Sequence, residues 1–311
     1  MSKKLKTSEF VISLDFELNW GVHDLPDSYK KNVLGARGAI PELLELFTKY
    51  EISATWATVG MLFCKNYKDF LKYKPKDLPK YNKSNLNPYL IPLQNCTESG
   101  LYYAFDLITL ILNFPRQEIA SHSYSHYYCT ESGQTLNAFS ADCDAAVKIA
   151  KDFFNIDLTS YVFPRNQVNL SYLDVLKKSG FTAYRCVSND SELSKSAHTR
   201  LLRLIDSYIP VLGSMHKKTE IDGCGMKIAY SDRFLRPSSK YKTLNKLKVT
   251  RVKKEMHNAA KNGNIYHLWW HPHNFGERLT QNLSDLEEIL EYYRFLRREY
   301  GMKSVTIRDC S

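Results

Sequence analysis

The sequence predicts an α/β fold with a mostly parallel sheet, and two patterns carry this prediction. Short apolar runs with the composition of buried strands recur at residues 10–14, 52–59, 161–163 and 265–270. Between them lie segments whose apolar residues repeat every three or four positions, as on the core-facing side of a helix. Because strands that alternate with helices usually pair in parallel, we expect helices to cover the sheet.

Three helices can be placed by this periodicity. The first is indicated by Ile40, Leu43, Leu44 and Phe47, the second by Ala146, Ile149, Ala150 and Phe153, and the last by Leu286, Ile289, Leu290, Tyr293 and Leu296. Pro41 suits the first turn of the first helix. Ser284 and Glu287 form a capping-box pattern at the start of the last helix, and Gly301 suits its end.

The chain is predicted to form a single domain, residues 1–311, with an insertion at about 64–117. Within 65–92 lysine, tyrosine, asparagine and proline crowd together, and an apolar stretch follows at 101–114. Inserted loops above the mouth of a sheet often shape the substrate pocket. A surface excursion without catalytic consequence is the alternative.

Composition indicates an ordinary globular protein, with 43% hydrophobic and 24% charged residues. The stretch 101–114 is too short to cross a bilayer and is interrupted by Asp106 and Asn113. The apolar run after the basic first residues is too short for a signal-peptide core, so we expect a cytoplasmic protein. Seven cysteines without a Cys-x-x-Cys pair argue against a disulfide framework and a structural zinc finger, and fit reduced thiols.

The formal charge of +10 is compatible with nucleic acid, an anionic lipid surface or a phosphorylated substrate as partner. Residues 240–254 form the densest cluster, with seven basic residues and no acidic one. This segment lacks the glycine and aromatic pattern of an RNA-binding sheet, so no nucleic acid is expected. A solvated face is favoured over a phosphate-binding role, and peripheral membrane contact stays open.

Two histidines and two acids suggest a metal site. His122 and His126 are four residues apart, a spacing that brings both rings to one side of a helical turn or a tight loop. Asp15 and Glu17 follow the first predicted strand, where residues two apart face the same side. Catalytic zinc sites commonly combine histidines with a carboxylate. One acid can therefore serve as ligand and the other as base.

Further histidines follow the strand at 265–270. His271 and His273 lie at the expected carboxyl end of that strand, where a third or fourth imidazole could act as a general acid. For His273, a local packing or hydrogen-bonding role is about as well supported. Cys129 lies three residues after His126, but a free cysteine is most often a small buried residue, so it is left out of the site.

These motifs, in this order, resemble the polysaccharide deacetylase family, carbohydrate esterase family four. Residues 10–17 resemble its first motif, and residues 40–60 the helix and strand that follow. Residues 118–126 resemble its His-[Ser/Thr]-x-x-His motif, Phe163-Pro-Arg165 its arginine motif and Leu268-Trp-Trp-His271 its last histidine motif. The insertion lies outside this resemblance.

The resemblance implies a distorted (β/α) barrel with a divalent metal, zinc being the first expectation, held by His122, His126 and Glu17. It implies that Asp15 is the general base and that Arg165 pairs with Asp15 and orients it.

Four further residues, His271, Asn166, His273 and Trp270, are expected to contact the substrate or the reacting groups. His271 would protonate the leaving group. Asn166, after the arginine motif, is assigned the backbone donor to the tetrahedral oxyanion, and substrate contacts are assigned to Asn166, His273 and Trp270.

The resulting hypothesis is a metal-dependent hydrolase that removes acetyl groups, N-acetyl groups first, from a sugar or sugar precursor in polysaccharide biosynthesis. A nucleotide-linked or lipid-diphosphate-linked substrate is expected in the cytoplasm, including the inner membrane face. Two alternatives stay open: a deformylase or other amide hydrolase on the same fold, and a catalytically silent relative that binds phosphate or membranes. The sequence does not identify the sugar, the native metal or the oligomeric state.

Overall fold

The computed structural model describes residues 7–94, 97–187, 206–208 and 218–311. Its centre is a sheet of ten strands in the described residues, and every pairing except that of β6 with β7 is parallel. The order is β6-β7-β5-β4-β3-β2-β1-β9-β8, with β10 paired to β1. The strands are β1 (Glu9–Phe16), β2 (Ala54–Thr58), β3 (Gln117–Ser121), β4 (Ser160–Val162), β5 (Ala183–Val187), β6 (Glu220–Ile221), β7 (Lys227–Ser231), β8 (Arg233–Phe234), β9 (Ile265–Trp270) and β10 (Lys303–Val305). The predicted α/β fold is thereby confirmed.

The sheet curves round on itself through the consecutive strands β7 and β8. Strand β7 pairs with β5, whereas β8, only one residue further on, pairs with β9. At the bend the backbone N–H of Asp232 donates to the carbonyl of His267, 3.0 Å away. One short segment therefore bridges both sides of the sheet, as a distorted barrel requires.

Seven α-helices in the described residues accompany the sheet: α1 (Lys30–Lys49), α2 (Tyr67–Tyr73), α3 (Phe105–Leu112), α4 (Leu136–Phe154), α5 (Leu173–Lys178), α6 (Lys242–Asn262) and α7 (Leu279–Tyr300). The periodic residues of the three predicted helices are all buried except Phe153, which is half-buried. None of the described helices combines the length and the apolar character that crossing a membrane demands.

Two predicted helix starts are wrong. Pro41 lies in the middle of α1, because the buried stripe of Val33, Ala36 and Ala39 extends the helix back to Lys30. There Pro41 cannot donate a hydrogen bond to the carbonyl of Arg37. Ser284 lies inside α7, which begins five residues earlier after Arg278. The predicted end of α7 is confirmed, since Gly301 takes the left-handed conformation there at φ +69°.

The insertion contains α2 and α3 and packs against the segment that follows β1. The indole N–H of Trp20 donates to the carbonyl of Tyr102 at 2.8 Å, and the side-chain amide of Asn19 donates to the Tyr102 hydroxyl at 3.0 Å. The predicted apolar stretch forms α3, whose Leu107, Ile108 and Ile111 are buried. The insertion is therefore part of the core rather than a loose excursion.

Helix α1 approaches the loop after β9 through two glycines. A Cβ atom added to Gly35 would lie 2.2 Å from the carbonyl oxygen of Gly276, and one added to Gly276 would lie 2.0 Å from that of Asn32. Both residues must therefore be glycine for these backbones to touch.

Candidate active site

The two acids stand at the carboxyl end of β1, where the active sites of such folds lie. Asp15 is the last residue but one of β1, and Glu17 is the first residue after the strand. Each is 3% exposed. Gly21 lies at the end of the short 3-10 helix Leu18–Gly21 and leaves room for the Glu17 side chain, since a Cβ at that position would lie 2.1 Å from the Glu17 carboxyl carbon. The sequence therefore brings both carboxylates into one buried place.

The two histidines lie on a tight loop after β3. His122 Nδ1 donates to the carbonyl of Val162 at 2.8 Å, so its Nε2 carries the lone pair. That Nε2 is buried and has no hydrogen-bond partner among the described residues. Ser123 and His126 have φ of +59° and +56°, a conformation that costs non-glycine residues on the order of 1–3 kcal/mol. Something must hold this loop in place.

Asp142, on α4, supplies that hold. Its carboxylate accepts the backbone N–H groups of Tyr124 at 2.7 Å and Ser125 at 3.0 Å, and also the Ser125 hydroxyl. Burial raises the pKa of Asp142 to about 6, although these hydrogen bonds act in the opposite direction. The carboxylate fixes the backbone between the two histidines.

Glu17, His122 and His126 form a cluster that could hold a metal ion. Glu17 Oε2 lies 3.0 Å from His126 Nε2 and 3.5 Å from His122 Nε2, and all three residues are buried. Two atoms bound to a tetrahedral zinc ion are roughly 3.3 Å apart. The spacing and the unpartnered His122 Nε2 therefore fit a divalent cation.

The protonation states in the cluster suit the same purpose. Burial would raise the pKa of Glu17, but His271 and His126, when protonated, and the contact with the loop histidines outweigh it and hold that pKa well below its usual value. Burial lowers the pKa of His126 to about 4. At neutral pH the cluster thus offers a carboxylate and a neutral imidazole.

Asp15 is held by Arg185, not by Arg165 as expected. Arg185 Nη1 and Nη2 donate to the two carboxylate oxygens at 2.6 and 2.7 Å. Arg165 instead donates to Asp24 at 2.8 Å, and its guanidinium lies over the Tyr128 ring at the mouth of the pocket. Arg165 has a φ of +53°, and in this left-handed conformation its side chain reaches Asp24 rather than Asp15.

Arg185 lies on β5, and its environment extends the polar network behind Asp15. It also donates to Ser13 Oγ at 3.1 Å, and Ser13 Oγ is 2.8 Å from His267 Nε2. Burial opposes ionisation of Asp15, but the Arg185 charge prevails and keeps the pKa of Asp15 below its usual value. The sequence signal for Arg185 was its place within the apolar run 183–187, where a single charge implies a buried partner.

His271 completes the ring of polar groups. Its Nε2 is 3.6 Å from Glu17 Oε1 and 3.9 Å from Asp15 Oδ2. Asn274 Oδ1 accepts the backbone N–H of His271 and lies 3.3 Å from its Nδ1, which places a proton on Nδ1. Nε2 is then the nitrogen that can exchange a proton with the pocket. His273 stacks on His271 with ring centroids 4.8 Å apart and is buried, which lowers its pKa to about 3.

Two expected substrate contacts are wrong in detail. The backbone N–H of Asn166 already donates to the carbonyl of Phe163 at 2.9 Å, so it is not available to an oxyanion. Its side-chain oxygen accepts from Arg185 at 3.1 Å, which leaves the amide NH₂ as the donor it can offer. Trp270 is fully buried against Phe47 and Phe275, on the far face of β9.

The pocket above these groups has a volume of about 300 Å³. It is lined by Asp15, Glu17, Gly21, Val22, Tyr29, His126, Arg165, Asn166, Phe234, Trp269, His271, His273 and Asn274. Trp269, not Trp270, faces this pocket, together with Phe234 at a centroid distance of 4.9 Å. The site therefore combines carboxylates and imidazoles at its base with aromatic walls.

Comparisons with known proteins agree with this arrangement. The sequence pattern of the family described as polysaccharide deacetylase matches residues 6–184, and the chain belongs to that family. Membership supports an enzyme that acts on acetyl groups. No curated protein sequence matches the chain.

Solved structures share the fold at low sequence identity. A Mycobacterium smegmatis protein assigned to the polysaccharide deacetylases superposes with a TM-score of 0.63 at 11% identity, over 99% of this chain and 90% of its own. A Pseudomonas aeruginosa PAO1 protein with the same assignment gives 0.57 at 11% identity, over 97% and 88%. PuuE allantoinase gives 0.58 at 11% identity, over 99% and 90%. Because the fold is shared with an allantoinase, the choice of reaction depends on the site.

Proposed function

We propose that this protein is a metal-dependent hydrolase that removes acetyl groups, N-acetyl groups first, from a sugar or sugar precursor in polysaccharide biosynthesis. The observation that supports this most is the convergence of Glu17, His122 and His126 beside an acid held by arginine. Family membership supports the acetyl group as the target.

Each group has a separate role in this proposal. Glu17, His122 and His126 would hold the ion, with zinc the best match to two imidazoles and a carboxylate. A divalent ion in such a site acidifies water and polarises a carbonyl group. Asp15, ionised because of Arg185, accepts the proton of the attacking water.

The leaving group is protonated by a different residue from the one that activates the water. As the bond from the acetyl carbon to nitrogen breaks, the imidazolium form of His271 delivers its Nε2 proton to the departing amine and becomes the neutral ring protonated on Nδ1; acetate is the second product. Asn274 keeps the imidazole in position by accepting at its other nitrogen. The free side-chain N–H of Asn166 is the donor we assign to the acetyl oxygen.

The walls of the pocket support a sugar as substrate. Trp269, Phe234 and Tyr29 present aromatic faces, against which the C–H side of a pyranose ring packs well. Arg165 at the mouth, with a side chain 37% exposed, is suited to a diphosphate linked to that sugar. A nucleotide-linked or lipid-diphosphate-linked substrate in the cytoplasm remains part of the proposal.

The test is a screen of acetylated sugars, sugar nucleotides and N-formyl and cyclic amide compounds, with acetate and formate measured separately. We expect metal in the purified protein, acetate release that a chelator abolishes, and no turnover by His122→Ala or Asp15→Asn. Acetate release by either variant at the native rate would overturn the roles assigned here. Formate release or ring opening without acetate release would favour the amide hydrolase alternative.

A further inference from the structure

A second cavity, with a lining separate from that of the catalytic pocket, lies between α6 and α7. Its volume is about 490 Å³, and it shares no residue with the pocket described above. Polar side chains line it: Thr250, Lys253, Lys254, His257 and Asn258 of α6, and Tyr292 of α7. His257 and Tyr292 hydrogen-bond to each other at 2.9 Å and Lys253 pairs with Glu288, so Thr250, Lys254 and Asn258 are the donors assigned to a ligand. A groove with this lining suits an anionic oxygen-rich group such as a phosphate.

The charge around the groove has one sign along α6. Lys242, Lys246, Lys254 and Lys261 are exposed. Glu255 is the single acid of α6; it is buried and paired with Arg233 and Arg251, so it does not offset the exposed lysines. On α7, Glu288 neutralises Lys253 at 2.6 Å. The exposed lysines therefore form a cationic row on the α6 side of the groove, whereas α7 contains no lysine.

Apolar side chains are exposed on the same surface. Leu247 is 39% exposed and lies on the side of α6 that carries Thr250 and Lys254, three and seven residues further on. Phe295 is 37% exposed and stacks on Tyr292 at the edge of the groove. Lysines interleaved with an aliphatic and an aromatic side chain are the combination found on helices that lie on membrane surfaces.

We propose that the α6–α7 groove and its surrounding lysines dock the protein on an anionic phospholipid surface, with lipid phosphate groups in the groove. The lysines match the negative surface charge, while Leu247 and Phe295 require an apolar layer beneath it, which a soluble polyanion does not offer. The groove and the catalytic pocket have no lining residue in common, so a phosphate group in the groove does not occupy the pocket.

The test is sedimentation of the purified full chain with vesicles. We expect binding to vesicles that contain phosphatidylglycerol, little binding to phosphatidylcholine alone, and weaker binding as salt rises. The combined Lys246→Gln, Lys254→Gln and Lys261→Gln protein should bind on the order of a hundredfold more weakly, since each lysine near an anionic surface contributes about fivefold. Leu247→Ser should also weaken binding without a change in charge.

The matched control removes the same charge elsewhere: Lys68, Lys76 and Lys80, all exposed on the insertion, are changed to Gln. Equal loss of binding by the control would show that only net charge matters and would overturn the proposal. Absence of vesicle binding would overturn it too, as would capture of pyrophosphate or single-stranded nucleic acid by the groove without vesicle binding. Because the groove lysines are outside the catalytic machinery, turnover of a soluble acetylated sugar should be equal in all variants.

Discussion

Arg185 on β5 and Asp15 on β1 form a bidentate ion pair, with nitrogen–oxygen distances of 2.6 and 2.7 Å. Arg185 is 1% exposed, and among the described residues Asp15 is the carboxylate with which it pairs. The pair joins two strands that are not neighbours in the sheet. It thus fixes the orientation of the proposed base and closes the interior of the barrel beneath the pocket.

Replacement of Arg185 by Met should destabilise the fold by about 3–5 kcal/mol, because Asp15 would remain as an unpaired buried charge. Arg185→Lys keeps the charge but loses the two-pronged contact of the guanidinium with Asp15. This variant should therefore fold, but its turnover of substrate should be low. Arg165→Lys is the matched change at the other arginine and should leave stability nearly unaltered. Urea denaturation and kcat/KM of the three proteins would check this; equal behaviour of both Lys variants would contradict it.

Asp142 should control metal affinity without touching the metal. In Asp142→Asn the side chain retains one acceptor, so an N–H would face the loop between His122 and His126. We expect metal affinity to fall by about 10–100-fold, as for partners that orient ligands elsewhere. Competition with a chelating dye measures it. Asp144→Asn, at the exposed neighbouring acid, should match the native protein; a parallel loss there would refute the specific role.

His267 should make the fold less stable in acid. Burial, helped by the Arg185 charge, lowers its pKa to about 3, whereas an unfolded histidine titrates near pH 6.5. Between these values the unfolded chain binds a proton that the folded protein does not, so stability falls as the pH falls from 6.5, by up to about 1.4 kcal/mol per pH unit. His267→Gln should show a shallower decline in urea midpoints; identical slopes would count against this assignment.

The two tryptophans of β9 should separate binding from stability. Trp270→Ala removes a fully buried side chain and should cost about 3–5 kcal/mol in unfolding free energy, with activity kept in the fraction that folds. Trp269→Ala should raise KM and cost less stability, because its ring borders the pocket and covers Arg185 at 4.5 Å. A large loss of substrate affinity in Trp270→Ala alone would reverse this assignment.

Sequence reasoning located β1, β2, β4 and β9, four of the ten described strands, and the acid and histidine pairs, because each depends on local rules. The apolar runs at 10–14 and 265–270 lie within β1 and β9, since short apolar runs rich in β-branched and aromatic residues favour buried strands. Two acids at the end of one strand and two histidines on one loop meet because parallel strands end at a common edge.

The corrected residues depend on tertiary contacts or on a rule left unused. Nothing local to Arg165 or Arg185 states which of them reaches Asp15, because β1 and β5 meet only across the barrel. Trp269 is different: alternation along β9 places it on the same face as His267 and His271, so the period of two already assigned it to the pocket. The starts of α1 and α7 were misplaced because capping patterns also occur by chance inside helices.

Because Gly35 contacts Gly276, substitutions well outside the pocket are expected to reduce activity. His271 lies five residues before Gly276, and the short helical turn between them is seated directly on α1. A single methyl group at Gly35 would push that turn outward and carry the proton donor with it. In a selection for turnover, Gly35→Ala would therefore be scored as a loss-of-function allele, although every reacting group is still encoded.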